Sequence, residues 1–221
     1  MPDLVIFDCD GVLVDSEVLA VGAMCEVLTA AGVPATAAMV ARCFGLKQAD
    51  ILDRIARDTG TPIPTFVQDE VWPATRRWFE RDLRPMPGIA LFLERLGDHP
   101  RCVASSSSLE RIRLSLAVTG LDHFFGGSVF SSQQVPRGKP APDLFLFAAD
   151  RMGLSAMRSA VIEDSVYGVQ GARAAGMRAV GFVGGSHIPP DHGASLVSAG
   201  AETVAHTFEA VELHLFGPAS D

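Results

Sequence analysis

Apolar residues change their rhythm along this chain. The first run, Leu4 to Phe7, is four residues long, favours extended backbone, and gives way to Asp8 and, a little later, Gly11. It predicts a buried strand followed by a loop. Through residues 16–84 the apolar positions recur at spacings of three and four. Val18, Val21, Cys25 and Leu28 share one helical face, with Gly32 as a stop signal. Ile51, Leu52, Ile55 and Ala56 form a second face that ends near Gly60. A third helix is predicted around residues 65–82, with Pro73 marking its start or a kink.

After "RPMPG" at 84–88 the pattern alternates. Short apolar runs ("CVAS" from 102, "SVFS" from 128, "AVIED" from 160, "RAVGFV" from 178, "ETVAH" from 202) are separated by helical patterns near 89–97, 108–119, 142–152, 166–175 and 208–215. Strands alternating with helices at this spacing predict an α/β fold, a Rossmann-like, doubly wound and mainly parallel sheet. Leu4 to Phe7 belongs to that sheet, so the expected organisation is an α/β core from residues 1–15 plus 85–221, with an inserted α-helical domain at 16–84.

Composition narrows the function. Of 221 residues, 48% are hydrophobic and 20% charged, as in a globular protein, and the formal net charge is −8. Without a dense Lys/Arg tract, broad attraction to nucleic acid or to an anionic membrane is not expected. There is no uninterrupted apolar run of bilayer length and no basic region leading into a secretory apolar stretch. Cys9, Cys25, Cys43 and Cys102 lack metal-site spacing and read as small buried hydrophobes of a cytoplasmic protein. Oligomeric state leaves no signal.

The candidate chemistry lies at strand ends, where open parallel sheets bind ligands. Asp8 and Asp10 project to the same side if the extended backbone continues past Phe7. Two such carboxylates repel unless a cation lies between them, and hard oxygen ligands in a loop suit Mg²⁺. "AVIEDS" supplies Glu163 and Asp164 at a second strand end. "ASSSS" brings the hydroxyls and N–H groups of residues 105–108 to a helix start, an anion cradle or an ordinary cap. "RGKPAPD" holds Lys139 ahead of another helix. Asp15 is expected to brace a loop. His187 and His192, in "GGSHIPPDH", are expected in an exposed Pro-rich loop rather than as a metal pair. The glycines of "GVQGARAAG" suit close helix packing, since they lack the strand-linked dinucleotide order.

"DCDGVLVDSE", "VASSSS", "GKPAPD" and "VIEDSVYGV", in that order, resemble the four motifs of the haloacid dehalogenase-like phosphohydrolases. The resemblance covers nearly the whole chain, and the helical insertion matches the small cap domain of that family, as in β-phosphoglucomutase and the sugar-phosphate phosphatases. It implies that Asp8 attacks phosphorus to give an aspartyl-phosphate. Asp10 would protonate the leaving oxygen and then activate water. Ser105 and the Ser106 amide would hold the phosphoryl oxygens, and Lys139 would neutralise developing charge. Mg²⁺ would be bound by Asp8, the backbone carbonyl of Asp10, and Asp164, with Glu163 direct or through water. The implied substrate is a small organic phosphate ester, a phosphosugar or sugar-acid phosphate ahead of nucleotides and phosphoglycolate. Gly45, Lys47 and Gln48 fall where related enzymes contact substrate, with Arg76 and Arg77 as further candidates; Lys47 reads equally as a solvated helix-start lysine.

Two other readings remain. A sugar phosphomutase of the β-phosphoglucomutase type carries a histidine in the first cap helix, where this chain has Ala20 in "SEVLAVGAM". It also carries a Ser-Arg pair where this chain reads "FGLKQAD". Both departures favour a hydrolase. Dehalogenases lack the second acidic residue that Asp10 supplies. A non-catalytic binding protein predicts erosion of at least one motif, and all four are intact.

Overall fold

The computed structural model describes residues 1–43, 48–186 and 188–218. Among them, two compact units form, one from residues 1–15 with 84–221 and one from residues 16–83.

In the first unit six strands make one parallel sheet: β1 (Leu4–Phe7), β2 (Arg101–Ser105), β3 (Val129–Ser131), β4 (Ser159–Glu163), β5 (Arg178–Phe182) and β6 (Thr203–Ala205). Their order is β3-β2-β1-β4-β5-β6. β1 is central, with every residue buried, which is why its sequence is continuously apolar rather than alternating. The chain winds outward from β1 in both directions. Connections therefore leave the sheet on opposite faces, and a crevice opens at the carboxyl ends of β1 and β4. Register fixes what reaches it, since Phe7 is paired with Val103 on one side and Ile162 on the other.

Side-chain alternation divides the core. Leu4 and Ile6 join Cys102, Ala104, Val161 and Ala179 in a cluster completed by α7 (Asp143–Met152), α8 (Val166–Ala174) and Leu196 of α9 (His192–Ala199). Phe7, on the opposite face, meets Phe92 of α5 (Ile89–Arg95) and Phe125 edge-on, with ring centroids 6.0 and 5.9 Å apart. Phe208, which opens α10 (Phe208–Phe216), stacks on Phe92 and Phe182 at 5.5 and 4.6 Å.

The second unit contains α1 (Glu17–Ala30), α2 (Ala37–Ala41), α3 (Gln48–Thr59) and α4 (Phe66–Asp82). Val21, Met24 and Leu28 of α1 close on Val67, Val71 and Ala74 of α4, with Leu52 and Ile55 of α3 completing the core. Gly22 is needed where the Trp78 ring lies against α1, because an added Cβ would come within 2.6 Å of it.

One local reading narrows and two change. Of the two places expected for Pro73, it takes the one inside the helix, in α4. The short α2 was not anticipated; Thr36 caps it, accepting from the Met39 N–H at 3.3 Å. The "GGSHIPPDH" stretch was read as a loop throughout, yet His192 begins α9, which ends on Gly200 with φ of +109°. His187, Gly45 and Lys47 lie outside the described residues. No helix among the described residues is long and apolar enough to cross a membrane.

Candidate active site

Asp8 continues β1 by one residue. Its N–H donates to the Ile162 carbonyl at 3.0 Å, which extends the ladder and fixes the side chain at the crevice. The turn that follows depends on Gly11, whose φ of +80° is the left-handed conformation open to glycine. The N–H groups of Leu13 and Val14 both donate to the Cys9 carbonyl, at 2.9 and 3.1 Å, closing the loop that carries Asp10.

Lys139 crosses the crevice to two carboxylates. Its ammonium donates to Asp8 Oδ1 and to Glu163 Oε1, each at 2.5 Å. The loop supporting it is braced by Arg137, which forks onto Asp143 at 3.1 and 2.8 Å at the start of α7. Burial alone pulls the Lys139 pKa down, but Asp8 and Glu163 outweigh it and hold the ammonium above its ordinary value. The Asp8 carboxyl is pushed well up, first by burial and then by Glu163, Asp164 and Asp10, against the pull of Lys139. A cation bound there would favour its charged form.

Glu163 is fully buried at the end of β4. Its second oxygen accepts from the N–H and the hydroxyl of Ser165, both at 2.9 Å. Ser165 in turn caps α8, accepting from the Gly168 N–H at 3.0 Å. Gly168 is required because a Cβ there would collide with the Glu163 carboxyl. Gly171 likewise lets Phe145 and the Pro140 and Ala141 carbonyls approach. The close-packing role expected for these glycines holds for Gly168 and Gly171, with Gly168 also making room for a site residue; Gly176 follows the helix with φ of +74°, and a Cβ there would meet nothing within 4 Å.

Asp8, Glu163 and Asp164 each present a carboxylate oxygen within 4.8 Å of the others. Three hard oxygen donors so close together and nearly buried fit a divalent cation such as Mg²⁺. Asp10 is outside this cluster by its side chain, which leaves its backbone carbonyl as the donor the resemblance implied. The His192 ring nitrogen Nε2 lies 2.6 Å from the Asp164 carbonyl, so it carries the proton and donates. Sequence reading missed this contact because it assigned His192 to an exposed loop.

At the end of β2, Ser105 is 2% exposed and its hydroxyl accepts from the Ser107 N–H at 3.2 Å. Ser108 caps α6 (Leu109–Val118), accepting from the Arg111 N–H at 3.2 Å. Hydroxyls beside β3 hold this loop: Ser131 donates to the Ser107 carbonyl at 2.6 Å and Ser132 to the Ser106 carbonyl at 2.9 Å. The Asp10 carboxylate accepts from the Ser107 hydroxyl at 2.6 Å and from Arg111 Nη2 at 2.8 Å. Neither donor was singled out from sequence. The available signal was an arginine three residues after a capping serine, facing back along the helix. Asp15 braces its loop as expected, accepting from the Ser186 hydroxyl at 3.0 Å.

The remaining sequence candidates lie in the helical unit. Gln48 donates to the Gln68 carbonyl at 2.7 Å. Arg76 is paired with Glu80 at 2.9 Å and Arg77 with Glu26 at 3.0 Å.

Residues 2–176 match the haloacid dehalogenase-like hydrolase family. The chain is 30% identical over 190 residues to the 6-phosphogluconate phosphatase of Escherichia coli K12, covering 85% of this chain and 86% of that protein. It is 32% identical over 176 residues to a fructose-1-phosphate phosphatase of the same organism, covering 79% and 93%. Among solved structures, a haloacid dehalogenase-like protein from Agrobacterium tumefaciens superposes with a TM-score of 0.85 at 38% identity, over 97% of this chain and 98% of the other. With the doubly wound sheet and the acidic crevice at its switch point, these matches establish that the chain belongs to the haloacid dehalogenase-like hydrolases.

Proposed function

We propose that this enzyme is a Mg²⁺-dependent phosphatase that hydrolyses a small phosphosugar or sugar-acid phosphate through an aspartyl-phosphate on Asp8. The observation that carries the reading is the pairing of two aspartates in different settings. Asp8 is held by Lys139 beside Asp164, while Asp10 is held by Ser107 and Arg111. One carboxylate is set up as a nucleophile and the other as a proton carrier.

The Asp8 carboxylate attacks phosphorus. The P–O bond to the leaving group breaks, and Asp10 gives that oxygen its proton. Asp10, now ionised, takes a proton from water as the water oxygen attacks the phosphoryl group, which frees phosphate and restores Asp8. Lys139 keeps its positive charge at Asp8 throughout, fixed by Glu163 on its other side. Ser105 and the Ser106 amide receive the phosphoryl oxygens as they swing through the plane. Asp8, Asp164 and the Asp10 carbonyl would hold the Mg²⁺, with Glu163 as a further donor, direct or through water. Bound there, the ion shields the negative charges of nucleophile and phosphate from each other.

The substrate class draws support from relatives named for 6-phosphogluconate and fructose 1-phosphate, each matched over most of its length. The resemblance supports reading the helical unit as a cap domain whose substrate-contact candidates are Gly45, Lys47, Gln48, Arg76 and Arg77, with Lys47 the candidate for a substrate carboxylate or hydroxyl. The enzyme works in the cytoplasm, which suits its four unbridged cysteines, and a net charge of −8 gives it no nucleic-acid or membrane partner.

Phosphate release from a panel of sugar phosphates and sugar-acid phosphates, with Mg²⁺ and with EDTA, tests this reading. Turnover of at least one ester that EDTA abolishes is expected. Interconversion of β-glucose 1- and 6-phosphates without phosphate release would replace the phosphatase with a mutase.

A further inference from the structure

A proton carrier must be aimed as well as present. Asp10 sits on a loop, and two free side-chain torsions would let its carboxylate sweep through several directions. The structure removes that freedom from one side. Oδ2 accepts from the Ser107 hydroxyl at 2.6 Å, and Oδ1 accepts from Arg111 Nη2 at 2.8 Å. The pair is largely screened from water, with the Arg111 side chain 22% and the Asp10 side chain 11% exposed. A guanidinium never surrenders its proton at working pH, so Arg111 orients Asp10 without competing as an acid.

Both donors belong to one rigid block. Ser107 is anchored through its N–H to Ser105, at 3.2 Å, and through its carbonyl to Ser131, at 2.6 Å. Arg111 lies one turn into α6, its own N–H on the capping Ser108. The loop that carries Ser105, assigned above to the phosphoryl oxygens, therefore also sets the direction of Asp10. Phosphate cradle and proton carrier share a single mechanical reference, and movement of one relative to the other is suppressed.

We infer that Arg111 and Ser107 are positioning residues that hold the Asp10 carboxylate in line with the leaving oxygen and with the hydrolytic water. This rests on the phosphatase reading, in which Asp10 moves both protons. Misplacement by about 1 Å costs roughly 10²-fold in rate where geometry controls the step.

The experiment compares kcat/KM for two esters: a sugar phosphate, whose alkoxide needs a proton to leave, and p-nitrophenyl phosphate, whose leaving group needs none. Because the departing group leaves irreversibly, kcat/KM reports only formation of the aspartyl-phosphate. Arg111→Met is expected to lower kcat/KM about 100-fold for the sugar phosphate and less than about tenfold for the nitrophenyl ester. Its kcat on the nitrophenyl ester falls as well, because water must still be activated, and acid-quenched phosphoenzyme accumulates. Ser107→Ala shows the same selectivity at smaller size, and serves if Arg111→Met does not fold. Arg111→Lys, which keeps a donor, recovers most of the loss on the sugar phosphate. Equal losses on both esters, or no loss, would overturn the inference. Asp10→Asn separates the two levels of the argument. If Asp10→Asn is leaving-group selective and Arg111→Met and Ser107→Ala are not, positioning fails alone. If Asp10→Asn is itself unselective, the assigned role of Asp10 fails, and the inference fails with it.

Discussion

Gly168 offers a substitution in which helix propensity and site geometry point in opposite directions. On an isolated helix, Gly→Ala stabilises by about 1 kcal/mol. Here the new Cβ would fall closer than 3.0 Å to Cδ and both carboxylate oxygens of Glu163. Ordinary contacts need about 3.5 Å, so the carboxyl must retreat by about 1 Å or more. That side chain is fully buried and anchored by Lys139 at 2.5 Å and twice by Ser165 at 2.9 Å. Retreat takes Lys139 off one of its two carboxylates. Loss of one charge-assisted bond costs about 1.5–3 kcal/mol, and full rupture of a buried pair about 3–5. After the gain in propensity, Gly168→Ala is expected to destabilise by about 2 kcal/mol, which lowers Tm by roughly 4–8 °C at this chain length. Lys139 then pulls on Asp8 from a changed position, and kcat falls between about 10- and 100-fold. Thermal unfolding and steady-state phosphate release read the two effects separately. Glu163→Asp in the same background shortens the side chain and should return part of the stability. A Gly168→Ala protein as stable as wild type with unchanged kcat would refute the chain of contact from α8 through Glu163 to Lys139.

Two further outcomes follow from other contacts. His192→Ala removes the donor to the Asp164 carbonyl and should raise the Mg²⁺ concentration for half-maximal activity about tenfold; Mg²⁺ titration followed by thermal shift as well as activity checks this, and an unchanged midpoint excludes it. Burial pushes the Glu202 carboxyl up, but the Arg178 hydrogen bond at 2.9 Å and His214 bring it below its ordinary value of 4.5. A carboxyl depressed in the folded state contributes stability above its unfolded pKa and loses it as pH falls. Glu202→Gln should thus destabilise by no more than about 1 kcal/mol at pH 7, and the two urea curves should converge near pH ~3. A gap that persists in acid would reject the assignment.

Much of the fold is written in the rhythm of apolar residues. β1 and β4 are legible because strands buried on both faces must be continuously apolar, and the alternating units after residue 88 follow from helices that cover such strands. What escaped was structure held by less local means. α9 is rich in small residues and preceded by prolines, and its apolar signal reduces to Leu196, which is buried against Gly181. α2 is five residues long, too short for periodicity to show. Pro73 is tolerated inside α4 because packing of Val71 and Ala74 against α1 outweighs a lost backbone bond.

The site divides in the same way. Asp8, Glu163 and Asp164 stand at strand ends, where topology alone makes them converge, and motif order points to them and to Lys139 in the loop ahead of α7. Ser107, Arg111 and His192 act through contacts between segments far apart in sequence, whereas Ser165 acts locally, on Glu163 two residues before it. Asp10 and Arg111 are separated by 101 positions, and only the β1–β2 register brings them together. Glu163 lies in the acidic cluster where it was expected, and the structure adds what sequence did not show: one of its oxygens also accepts from Lys139 and the other from Ser165.

The central claim is a covalent bond from phosphorus to Asp8. Acid quench of the enzyme in the steady state with its best ester, followed by intact-mass and peptide mapping, should find one phosphoryl group on the peptide that contains Asp8. None should appear on Asp8→Asn under the same conditions. Phosphate on another residue, or turnover by Asp8→Asn at the wild-type rate, would contradict the account.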